Sequence, residues 1–204
     1  MIEALIHGFL LAGGLILPLG AQNVFIFNQG ANQPNFIKAL PSIVTAALCD
    51  TLLVIFAVLG ISAAVLTFTW LKMILLGVGI VFLLYMGWTT WNSHSSGDSA
   101  SSPPILGVRK QVLFALSLSL LNPHAIMDTV IVIGMNSLQY AGANLISFTA
   151  AVITVSWLWF LGLSAAGNLM KKVDESGVWM RRLNKASAVI IWGIAIYMIV
   201  QLTS

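Results

Sequence analysis

Charge is what this sequence has least of. Its 204 residues include 9 Lys and Arg and 6 Asp and Glu, or 7% charged, where a soluble domain carries about 25%. Too few charges are present to cover a water-facing surface, which excludes an ordinary soluble globule. Cysteine is almost missing as well. The lone Cys49 excludes an internal disulfide and a dithiol relay, and its apolar neighbours suit an inert packing thiol. The three histidines and one cysteine form no spaced cluster, which argues against soft-metal ligation. Neither G-x-x-x-x-G-K-[ST] nor H-E-x-x-H occurs, so the sequence offers no phosphate-cradling loop and no zinc-peptidase helix. The N-terminus lacks the basic region of a cleavable signal peptide: only Glu3 and His7 interrupt its start, so residues 2–28 read as a retained first span.

What the sequence does have is apolar length. It is 59% hydrophobic, with a mean hydropathy of +0.97, and runs of about 20 apolar residues match a bilayer core. Six spans can be placed, over 2–28, 39–60, 66–91, 110–136, 143–167 and 184–203. The one clear linker, "NSHSSGDSASSPPILGV" at 92–108, is rich in Ser, Gly and Pro and has no periodicity. It divides a single membrane domain, 1–204, into halves of three spans, 1–91 and 109–204.

The net charge of +3 could suggest nucleic acid, but five of the nine basic residues cluster in 171–185. That distribution is a topology signal, and it also suits contact with anionic lipid; no nucleic-acid partner is expected. Lys38, Arg109, Lys110, Lys171, Lys172, Arg181, Arg182 and Lys185 fall in the 1–2, 3–4 and 5–6 loops, against Lys72 alone on the other side. The first set is therefore expected in the cytoplasm, with both termini outside. Three spans per half then give the halves opposite topology, the layout of inverted-repeat transporters. Pro18 followed by Asn23 and "VFIF", and Pro123 followed by Asp128 and "TVIV", are matching features of the two halves.

Polar residues inside apolar spans are the candidate site. A proline in a helix removes a donor and clashes with the preceding turn, and in hydrocarbon the freed groups need a partner or a wet cavity. Pro18 with Gly20, and Pro123 after Asn122, are thus expected to break the first span of each half. The second half-helix would begin with free N–H groups and partial positive charge, suited to a carboxylate. Gln22, Asn23 and Asn122 could cap these ends or reach a ligand, although a kink healed by neighbouring helices would explain the prolines equally simply.

Asp50 lies 12 residues past Lys38, or about 18 Å into a core of about 30 Å. An acid at that depth costs at least ~2.5 kcal/mol, so it is expected to face a cavity or partner and to take a ligand or proton. The alternatives are a silent protonated acid or a structural hydrogen bond to Thr45 or Thr51. Asp128 and His124 share a helical face at i, i+4, either as a structural pair or as a second proton site. Gly8 with Ala12, Gly77 with Gly79, and Gly162 with Ala166 read as places of close helix approach. The seven tryptophans read as interfacial anchors or packing, with Trp157 and Trp159, in mid-span, also suited to lining a pathway.

Two buried acids, two broken helices and a set of amides fit a zwitterion with an extra positive charge, which is a basic amino acid. "LPLGAQNVFIFNQG" and "LNPHAIMDT" moreover resemble the two signature segments of the lysine/arginine exporter family, and Asp50 falls where that family has an Asp in its second span. The likeness covers the whole chain. The Q-N…N-Q-G continuation points to the basic amino-acid branch; Ala21, where the family usually has proline, leaves Pro18 alone to break the first span. The resemblance implies a six-helix, all-α inner-membrane exporter of arginine or lysine in a bacterium, not an enzyme, with no cofactor. Gln22, Asn23, Asp50, Asn122 and Asp128 would bind substrate, and Asp50, His124 and Asp128 would couple transport to protons. Export of another small amino acid or of a divalent cation is the alternative, and a homo-oligomer stays open.

Overall fold

In the computed structural model of the chain, which describes residues 1–17, 20–60, scattered positions between 73 and 92, 105–121, 126, 129–173 and 178–203, the apolar run from Ile2 does not make one helix. It makes α1 (Ile2–Ile16) and α2 (Ala21–Asn32), whose axes differ in direction by 83°. Pro18 lies outside the described residues, so the bend is not assigned to it; Gly20, in extended backbone, is the N-cap of α2. Pro41 shows that a proline alone need not end a helix. It sits inside α3 (Phe36–Val58), which continues past it.

The remaining elements are α4 (Val108–Leu120), a π-helical segment at Thr129–Gly134 running into one α turn at Met135–Ser137, α5 (Gly142–Val173) and α6 (Val178–Thr203). Local chemistry sets several of these ends. The Asn35 side chain accepts from Lys38 N at 3.0 Å and caps α3, one of the four donors a helix start leaves open. Gly60 follows α3 with φ +73°, the left-handed closing residue for which glycine is preferred. The π segment is joined to the turn after it by side-chain bonds. There Asn136 Nδ2 donates to Val132 O at 2.7 Å and Ser137 Oγ donates to Gly134 O at 2.6 Å.

The described residues contain helices and no strand. Two of the helices, Phe36–Val58 and the Gly142–Met170 stretch of α5, are long and apolar enough to cross a membrane, and α1 with α2 makes a third if the bent pair is one crossing. The expected spans at 39–60 and 143–167 thus correspond to α3 and α5. The expected span at 66–91 lies mostly outside the described residues. The span at 110–136 is met by α4 and the π segment, with 122–125 and 127–128 between them outside the description.

α5 is the central helix, packed against α1, α2 and α3. It reaches α1 and α2 through missing side chains: a Cβ on Gly8 would lie 2.7 Å from Phe148 O, a Cβ on Gly30 would collide with Ser164 O, and one on Gly167 with Phe27 O. Gly8 thus does what was expected of it. Gly162 does not, because a Cβ there meets nothing within 4 Å; the close approach falls at Gly167, on another face of α5.

Two apolar clusters make the core. One joins Ala4, Ala12, Val54, Ile133, Phe148, Val152 and Val155, from α1, α3, the π segment and α5. The other gathers Val24, Phe25, Ile26, Ile43, Ala47, Leu118, Phe160 and Ile191 around α2. Contacts also group the helix ends. Gln33 and Lys38 at the α2–α3 turn meet Leu106 and Gln111, and Trp91 stacks on Trp192 at 5.6 Å with Lys185 over its ring. Elsewhere His7 Nδ1 pairs with Tyr140 Oη at 2.8 Å.

Candidate functional site

A polar layer lies at the seam between the two cores. Along α3 the α2-centred cluster reaches Ala47 and the other begins at Val54, so Asp50 and Thr51 fall between. Along α5 the change comes between Val155 and Trp157, which leaves Ser156 in the gap. Ile16, at the end of α1, packs against both clusters, and the start of α2 follows directly.

Asp50 is partly buried and does not face lipid. Val44, Leu48, Leu52 and Phe56 are each more than a third exposed and recur every four residues, marking the outer stripe of α3. At about 100° per residue, Asp50 stands on the opposite side. It is 14 residues into α3, or about 21 Å from its start, close to mid-membrane depth. Gln22 Nε2 on α2 donates to Asp50 Oδ1 at 3.3 Å, and the Ser156 side chain on α5 lies beside the acid. Both are neutral groups, and the Gln22 bond is long for an amide donor on a carboxylate. A carboxylate accepts about four hydrogen bonds, so Asp50 retains capacity.

Neither threonine proposed as a structural partner donates to Asp50. Thr45 Oγ1 donates to Pro41 O at 2.6 Å and Thr51 Oγ1 to Ala47 O at 2.7 Å, back-bonds that satisfy hydroxyls inside a helix. Thr51 Oγ1 also accepts from Trp157 Nε1 at 3.2 Å.

Asn23 is buried at 6% exposure and holds the α1–α2 corner together. Its Nδ2 donates to Ile16 O at 2.8 Å, one of the carbonyls the end of α1 leaves open. Its Oδ1 accepts from Trp159 Nε1 at 3.3 Å. With no side-chain cap at Gly20, the first N–H groups of α2 form the positive end of a helix beside Gln22.

The sequence-derived residues thus separate. Gln22, Asn23, Asp50 and Gly20 belong to one layer built by α1, α2, α3 and α5. Asn122, Pro123, His124, Asp128 and Pro18 lie outside the described residues. The structure adds Ser156 to this layer, a residue not singled out in the sequence, and sets Trp157 and Trp159 beside it through their bonds to Thr51 and Asn23. The four letters "SWLW" at 156–159 were a signal, since they lie at mid-span depth, but only the rotation of α5 shows which of them turn inward. Among the described residues no group of three or more His, Cys, Asp or Glu is placed to hold a metal ion.

The comparisons with known proteins agree with a membrane carrier. The pattern of the LysE type translocator family matches residues 14–202. The Bacillus subtilis (strain 168) protein YisU, whose name assigns it to amino-acid transport, is 48% identical over 200 residues, covering 98% of this chain and 90% of the relative. The arginine exporter protein ArgO of Pectobacterium carotovorum (strain PC1) is 30% identical over 200 residues, covering 96% of each chain. ArgO of Salmonella typhimurium (strain LT2) is 31% identical over 199 residues, covering 96% of this chain and 92% of the relative. No solved structure matches the chain.

Proposed function

We propose that this chain, which belongs to the LysE type translocator family and is an amino-acid transporter rather than an enzyme, is a secondary active exporter of basic amino acids. The observation that carries the reading is Asp50. It is a carboxylate on the inner face of α3 at mid-membrane depth, met by a neutral donor from α2 and lying beside Ser156 of α5, where a cationic substrate supplies the missing charge. An acid in that setting is costly unless it is paired or wetted, and a guanidinium or ammonium group pairs it. The name arginine exporter carried by relatives 30 and 31% identical supports the same choice.

The substrate's α-carboxylate is accommodated at the open start of α2, where Gln22 is the adjacent side chain. By the expected inverted repeat, the second half contributes Asn122 and Asp128 around Pro123, with His124 and Asp128 taking part in proton movement. Eight of nine basic residues in the 1–2, 3–4 and 5–6 loops favour those loops in the cytoplasm of a bacterium, with both termini outside the inner membrane. Moving a cation outward against an inside-negative potential costs about 2.3 kcal/mol per 100 mV. With no phosphate-binding loop in the sequence, an ion gradient must supply that work. Proton antiport does so if Asp50 releases substrate on one side and returns protonated.

Counterflow of labelled arginine, lysine and threonine in proteoliposomes tests the reading. Trapped unlabelled arginine or lysine should drive uptake of the labelled basic amino acids and leave threonine unmoved. Threonine exchange without arginine or lysine exchange would retire it. In cells, deletion of the gene should raise sensitivity to canavanine and leave metal sensitivity unchanged.

A further inference from the structure

We infer that Ser156, Trp157 and Trp159 of α5 form the cation-selecting wall of the Asp50 site, and that they favour a planar guanidinium over an ammonium group. The inference rests on the proposed export of basic amino acids and says which of them this site prefers.

The geometry comes from one short stretch of helix. At about 100° per residue, Trp157 and Trp159 point to either side of Ser156, and Leu158 points away from it. The contacts follow that wheel. Trp157 Nε1 reaches Thr51 on α3 and Trp159 Nε1 reaches Asn23 on α2. Ser156, at 6% exposure, faces Asp50 between them, whereas Leu158 is 58% exposed. α5 is therefore wedged between α2 and α3, with one indole anchored to each neighbour and Ser156 on the face between them, beside the acid.

Anchoring decides what the indoles can offer. Each has one donor, its N–H, and both donors are engaged. Part of each ring packs against the α2-centred cluster; what remains for a substrate is the rest of the ring surface, which attracts a cation through its quadrupole and supplies no hydrogen bond. A guanidinium bound edge-on to Asp50 makes two parallel N–H bonds in its own plane and leaves two weakly hydrated faces to be covered. The rings on either side of Ser156 are the surface we assign to those faces. An ammonium is a compact, strongly hydrated point charge whose three N–H groups need acceptors. Ring carbon supplies none, so lysine would pay more to leave water here.

Competition in wild-type proteoliposomes tests this without any substitution. Unlabelled arginine should displace labelled arginine at about tenfold lower concentration than lysine does, a ratio in the range of a desolvated cation–π contact. Citrulline, similar in shape but uncharged, should not compete. In the variants Trp157→Leu and Trp159→Leu the arginine preference should fall towards one, chiefly through weaker arginine binding, with a wild-type helical circular-dichroism spectrum showing that the protein is folded. Equal competition by arginine and lysine in the wild type, or an unchanged preference in both variants, would overturn the assignment and leave basic amino-acid export standing. Absence of any arginine or lysine exchange by the wild-type protein would overturn both.

Discussion

At one end of the helix bundle Gln33 and Gln111 spend their amide protons on neutral carbonyls, three main-chain and one side-chain, whereas at mid-depth Gln22 spends one on a carboxylate. Gln33 Nε2 donates to Leu106 O at 3.0 Å and to Gln29 Oε1 at 3.1 Å; Gln111 Nε2 donates to Leu106 O at 2.8 Å and to Lys38 O at 3.0 Å. Both are 1% exposed. The cluster ties the turn after α2 and the start of α3 to the last residues of the central linker, and most of its bonds end on backbone that needs them. The Asp50 layer is put together the other way. Its acid is met by one long amide bond and lies beside Ser156, and its aromatic N–H groups are turned towards Thr51 and Asn23. Two buried polar clusters of similar composition therefore have different uses. In the first, the amide donors tie segments of the fold together, although Gln111 Oε1 itself has no partner; in the second, an acid keeps capacity for a guest.

The sharpest way to break that contrast is at Asp50. In Asp50→Asn the proteoliposome assay should show arginine affinity reduced by about 10- to 100-fold, the scale of a lost charge-assisted hydrogen bond. Proton movement driven by substrate should vanish, while the melting temperature in detergent stays close to wild type. Full coupled exchange by this variant would remove Asp50 from the mechanism.

Gln111→Leu should show the opposite pattern. Leu106 O keeps its bond from Gln33, but the Lys38 carbonyl loses its side-chain donor, which costs about 1 kcal/mol and for a chain of this size lowers the melting temperature by roughly 3 °C. Transport per folded molecule should be unchanged, and loss of arginine selectivity in this variant would blur the division between the clusters. A smaller effect is expected from Thr51→Val, which takes away the acceptor of the Trp157 N–H and should weaken arginine binding about fivefold, one neutral hydrogen bond. The smallest belongs to Leu158→Ala. This side chain shares the same helical turn but points away from the layer, and its loss should leave both transport and selectivity within about twofold.

Much of this division was legible along the chain. The spans at 39–60 and 143–167 match α3 and α5 because an apolar run of sufficient length has one stable outcome in a bilayer. The depth of Asp50 followed from counting residues from Lys38. What counting cannot give is rotation. Whether Ser156 or Leu158 meets the acid depends on how α5 is turned against α2 and α3, which is set by Gly30 and Gly167 and by no pattern within "SWLW". The same limit explains the choice of Thr45 or Thr51 as partners for Asp50. Both are near it in sequence, yet each hydroxyl is taken by its own helix. It also explains Gly162, which is as small as Gly167 but faces open space. The corner between α1 and α2 was anticipated within a single broken span, and of the two roles open to Asn23, capping an end or reaching a ligand, its bond to Ile16 O is of the first kind.

The crossing at Gly30 and Gly167 also constrains how such a carrier can move. Main chain touches main chain there with no side chain between, so α2 has no slack in which to slide along α5. Whatever motion turns the Asp50 layer from one face of the bilayer to the other has to carry this pair as one strut. The turning points are left to its flanks.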